Sequence, residues 1–167
     1  MPLTDLMAAV STQVLAAADR DSTLIAASRL LACREAGADS LFLSLRERES
    51  VGSTAIGHGI AIPHGRSDTL QEPRGALLRL QEPVDFGGDE PVDLVFAMAV
   101  PAHYTHQHLM LLSELAELFS APCIPLYGEC ITSSALWSMS SGVWITRSAS
   151  RVLPGMERVA RKMRAVL

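Results

Sequence analysis

Apolar residues recur along the chain with two different periods, and the change from one to the other marks the elements. Leu24, Ala27, Leu30 and Leu31 follow helical spacing after Asp21-Ser22-Thr23, which can cap a helix, and Gly37 supplies a stop, so a helix is predicted over about 22–36. Asp39 or Ser40 opens a second, with Leu41, Phe42 and Leu45 on one side and Arg46, Glu47, Arg48 and Glu49 crowding its end. A short apolar strand is predicted at Ile60-Ala61-Ile62 and another over 75–81. From Val92 to Val100 the chain is nearly all apolar apart from Asp93, the pattern of a strand covered on both faces. A helix over about 104–119 places His108, Leu112, Leu115 and Phe119 on one face. Beyond Ser120 the periodicity weakens until 155–167, which reads as a terminal helix with a basic face. The fold class expected is α/β, a mixed β-sheet flanked by helices in one domain.

Composition narrows this reading. Hydrophobic residues make up 49% of the 167 and aromatics 5%, so the core must be built of aliphatic side chains and methionine. Residues 1–120 carry 16 acids against 8 bases, and residues 121–167 carry 2 against 6. An acidic body argues against nucleic acid as a partner, because that affinity comes from many cationic contacts to phosphate. Cys33, Cys123 and Cys130 form no CxxC pair, and the Met1 end shows no basic segment followed by an apolar run and a cleavage site, so a reduced, cytoplasmic protein is expected. Between Glu117 and Arg147 the only charge is Glu129, but Pro122, Pro125, Gly128 and many serines interrupt the stretch, and no stable membrane insertion is expected.

The densest chemistry lies in 52–65, Gly-Ser-Thr-Ala-Ile-Gly-His-Gly-Ile-Ala-Ile-Pro-His-Gly. Pro63 fixes its own backbone and favours an extended Ile62, and Gly65 permits a sharp exit, so His64 is presented rather than packed. Its near-neutral pKa leaves a ring nitrogen free as a nucleophile or a metal ligand, whereas a lone turn histidine often has no such task. Gly52, Gly57 and Gly59 let backbone amides approach an anion and Ser53 and Thr54 add hydroxyls, a set suited to phosphoryl oxygens. The loop matches neither a Walker A motif nor GxGxxG. The alternative for it is a tight helix-to-strand connection. His103, His106 and His108 form an irregular series with no carboxylate or cysteine beside it, a weak metal signal.

Arg48-Glu49, Gly52-Ser53-Thr54 and Gly57-x-Gly59-Ile60-Ala61-Ile62-Pro63-His64-Gly65 together resemble the active-site signature of the fructose/mannitol-type enzyme IIA of the phosphoenolpyruvate-dependent phosphotransferase system, nitrogen-regulatory branch. The resemblance continues through Pro91 to Met98, Val100-Pro101 and His108-Leu109. It implies that His64 accepts a phosphoryl group from a phosphorylated HPr-type histidine carrier, with His108 and Arg48 as supporting residues and Ser53, Thr54, Gly52 and Gly65 around the phosphate. It implies regulation of protein partners such as kinases or transporters, and no cofactor or metal. A sugar-transport phosphorelay and a non-catalytic binding module of the same fold are the alternatives. An open apolar rim for the donor is expected at Val51, Ile56 and Ile60. Residues 1–120 would form the domain core. Residues 121–167, with Trp137 and Trp144, depart from the family pattern and are read as a divergent C-terminal region or the product of a shifted reading frame.

Overall fold

Ten residues with one charged side chain among them, Val92–Pro101, form the central strand of the computed structural model, which describes residues 5–6 and 9–120. The expectations for 121–167, including the helix over 155–167, lie outside the described residues. In chain order the elements are β1 (Ser11–Leu15), α1 (Arg20–Leu31), α2 (Ala38–Val51), β2 (Ala55–Gly57), β3 (Ile60–Ala61), β4 (His64–Ser67), β5 (Arg74–Val84), β6 (Val92–Pro101) and α3 (Thr105–Ser120).

The sheet is mixed, ordered β1-β5-β6-β3-β2 with β4 also on β6. β5 runs antiparallel to β6, while β1 is parallel to β5. On the far side of β6, β3 pairs with Leu94 and Val95 and β4 with Met98 to Pro101, both parallel, so one edge is laid down in two pieces. The break falls at Ile62-Pro63: Ile62 N–H donates to the Thr54 carbonyl at 3.0 Å, and the Pro63 carbonyl accepts from Met98 N–H at 2.9 Å. Proline has no N–H to give the ladder, so pairing resumes only at His64.

Alternation along β6 divides the core. Val95, Ala97 and Ala99 pack with Leu24, Ala27, Leu31, Leu41 and Leu45 of α1 and α2. Leu94, Phe96, Met98 and Val100 face the other way, with Leu6, Val10, Leu111 and Leu115. The predicted double covering of this strand is what the structure has.

Several boundaries move. α1 is capped by Asp19, not by residues 21–23: its Oδ1 accepts from Ser22 N–H at 2.7 Å and Ser22 Oγ accepts from Asp19 N–H at 3.1 Å. It ends at Leu31, whose carbonyl accepts from Arg74 Nε at 2.6 Å, well short of the predicted 36. Gly37 is therefore no stop for α1; it is the N-cap of α2, its carbonyl taking Leu41 N–H and Ser40 Oγ. β5 extends to Val84, with an irregular register between Arg79 and Val84 that accommodates Pro83. Among the described residues no helix is long and apolar enough to cross a membrane.

Candidate functional site

The site forms where α2 lies close against β4. Ser44 Oγ accepts from Arg66 N–H at 2.9 Å and donates to the Arg66 carbonyl at 2.8 Å, so one hydroxyl fastens helix to strand. A Cβ on Gly65 would stand 2.7 Å from that oxygen and 3.2 Å from Leu45 N. Gly65 thus serves the close approach of helix and strand inside β4, not the sharp exit expected for it. One helical turn beyond Ser44, the same approach delivers Arg48 to His64.

His64 is half-buried, and both of its ring nitrogens are engaged. Nδ1 meets the Ile62 carbonyl at 2.9 Å, and a carbonyl can only accept, so the proton is on Nδ1. Nε2 accepts from Arg48 Nε–H at 3.0 Å and so carries the lone pair. Two independent partners select the same tautomer. Burial holds the His64 pKa below its ordinary value, against a hydrogen bond to Ile62 that raises it, while the Arg48 and Arg66 charges act with burial and Glu49 opposes. Arg48 is itself held by a second hydrogen bond, Nη1 to the Gly52 carbonyl at 3.0 Å.

His108, in the first turns of α3, is 5% exposed, and its ring stands edge-on to that of His64 with centroids 5.2 Å apart. Its Nδ1 accepts from Arg66 Nε at 3.4 Å, and its Nε2 is buried without a hydrogen-bond partner. Burial, then His64, Arg66 and Arg48, lower its pKa to about 4. Both rings are therefore neutral near pH 7, one offering a lone pair and the other an unmatched N–H.

The structure thus brings His64, His108 and Arg48 together. It sets Ser53 and Thr54 apart from the role expected of them. Ser53 Oγ donates to the Phe86 carbonyl at 2.8 Å, and the buried Thr54 gives both its N–H and its hydroxyl to the Glu49 carboxylate. These hydroxyls brace the loop between α2 and β2. Gly52 takes part through its carbonyl, on Arg48. Ile60 belongs to the core, not to the rim; Ile56 is half-buried and Val51 is 82% exposed. Leu109 and Met110, next to His108, are exposed as well.

His58 is exposed, with a left-handed backbone (φ 55°) between Gly57 and Gly59 in the β2–β3 turn. His103 and His106 are exposed while His108 is buried, and among the described residues no three His, Cys, Asp or Glu side chains come together to hold a metal.

Two participants escaped the sequence reading. Arg66 is two residues beyond His64, and the period-2 alternation of a strand puts both on one face, but the strand expected from the sequence ends at Ile62, with an exit at Gly65. Glu49 was read as one of a charged group at a helix end, yet it is buried; the Thr54 hydroxyl five residues later was the available sign of a partner.

Comparison with known proteins identifies the family. Residues 8–123 match the family model described as phosphoenolpyruvate-dependent sugar phosphotransferase system, EIIA 2. A nitrogen regulatory protein of Pseudomonas aeruginosa is 45% identical over 86 residues, 50% of this chain and 56% of the relative, so the chain spans little more than half the length of that protein. One from Bradyrhizobium diazoefficiens is 34% identical over 122 residues, 71% of this chain and 80% of the relative. The crystal structure of the nitrogen regulatory protein IIA-Ntr from Neisseria meningitidis superposes with a TM-score of 0.65 at 32% identity, covering 71% of this chain and 84% of that one. With residues 8–123, most of its length, matched, the chain belongs to the EIIA type 2 family of the phosphoenolpyruvate-dependent sugar phosphotransferase system.

Proposed function

We propose that His64 Nε2 accepts a phosphoryl group from the phosphohistidine of an HPr-type carrier, and that the resulting phosphorylation state governs binding to regulatory protein partners in the cytoplasm. The observation that carries this reading is the pairing of an unprotonated Nε2 on His64, held by Arg48, with a buried, unmatched Nε2–H on the adjoining His108. As the His64 N–P bond forms, the donor's N–P bond breaks and its electron pair returns to the donor imidazole. The Arg48 N–H displaced from Nε2 passes to a phosphoryl oxygen, and the His108 N–H supplies a second donor. Transfer of this kind asks the protein for alignment and for charge stabilisation more than for covalent assistance. Exposed Val51, Leu109 and Met110 offer apolar contact to a protein donor.

The test is intact mass after incubation with phosphoenolpyruvate, enzyme I and the histidine carrier. Wild type is expected to gain one acid-labile phosphoryl group, and a His64→Ala variant of unchanged circular dichroism to gain none. A folded wild type that gains nothing, or a variant that is still phosphorylated, would overturn the assignment.

A further inference from the structure

We propose that Arg66 is a positioning residue that sets the tautomer of His108, an inference that rests on the phosphocarrier reading of the site. A guanidinium has five N–H donors and no acceptor. The Nε–H of Arg66 meets His108 Nδ1 at 3.4 Å, so that nitrogen must present its lone pair, and the single proton of the neutral ring sits on Nε2. In the opposite tautomer two donors would face each other, and the buried Nε2 would hold a lone pair beside that of His64. Nothing on His108 would then receive anionic oxygens.

Arg48 makes the mirror arrangement. It donates to Nε2 of His64, whose proton is on Nδ1. Two arginines thereby hold two neighbouring histidines in complementary states, one acceptor and one donor. The backbone of Arg66 is held against α2, because Ser44 Oγ engages both its N–H and its carbonyl. Its charge also reaches both rings, lowering the pKa of each. The side chain is otherwise exposed, so replacing it removes little packing.

The experiment is long-range 1H–15N NMR of the imidazoles at neutral pH in the full chain, for wild type, Arg66→Met and Arg66→Lys, alongside phosphorylation kinetics with the histidine carrier. Wild type should show a protonated Nε2 on His108. Arg66→Met should populate the Nδ1–H form of His108 while His64, held by the Ile62 carbonyl, is unchanged. Its kcat for phosphorylation should fall on the order of 10-fold, with KM for the carrier nearly constant, as for loss of a residue that orients a functional ligand. Arg66→Lys, which keeps a donor, should restore the tautomer.

A His108 signature unaltered in Arg66→Met would overturn the proposal, whatever the kinetics. A shifted signature in a protein that no carrier phosphorylates would uphold the coupling of Arg66 to His108 and overturn the phosphocarrier reading instead.

Discussion

His108 couples acidity to stability. Its folded pKa, about 4, lies below the ordinary 6.5, so between those values the unfolded chain binds more protons than the native one. The stability this represents is complete above about pH 6.5 and is lost as pH falls toward 4. His64, also lowered, acts in the same direction. Urea unfolding at pH 7 and pH 5 should therefore show a loss in wild type that shrinks in His108→Gln; an equal loss in both would refute the coupling. Phosphorylation of His64 places negative charge against the same ring, and NMR titration of the phosphorylated protein should find His108 titrating higher. His64 stands out in the sequence because Pro63 and Gly65 flank it, whereas Arg48 and His108 are candidates only through the family resemblance. Arg66 and Glu49 do not stand out, because what defines them is a contact made only after α2 closes on β4.

The helix–strand contact behind that closure is testable at Gly65. A methyl group there meets Ser44 Oγ and Cβ and the Leu45 backbone, so Gly65→Ala should destabilise by about 1–3 kcal/mol. In a Ser44→Ala background the same change should cost less, since the nearest obstructing atom is gone, and thermal melts of the four proteins give the coupling. Additive losses would mean that the backbone of α2, not the Ser44 hydroxyl, sets the spacing. Element identity was readable where a period persisted, as in β6 and α3. Boundaries were not: Arg74, distant in sequence, takes the last carbonyl of α1, and at its start the local Asp19–Ser22 capping box outcompetes Asp21. β4 hid behind its own composition, since His-Gly-Arg-Ser has little strand propensity and is held by β6.

At the scale of the molecule, the two cores of the described residues lie on opposite faces of the sheet, and β6 contributes to both. Phe96, fully buried and tilted against Phe119 at 5.9 Å, should cost about 3–5 kcal/mol on truncation to Ala, read from urea midpoints; a loss below about 1 kcal/mol would show that α3 contributes little to that core. The two covered faces of the central strand were foreseeable from the nearly continuous apolar run Val92–Val100, whereas β1, whose Ser-Thr-Gln-Val-Leu has only two apolar residues, was recruited by β5. One feature of the site separates what sequence drift can reach from what it cannot. The partner that orients His64 is the carbonyl of Ile62, a main-chain atom that every amino acid carries, so no substitution at that position deletes it. The partner of His108 is a side chain. This part of the His64 geometry is inherited with the path of the chain, while the support from His108 can be retuned by point mutation, and relatives can diverge in the second without losing the first.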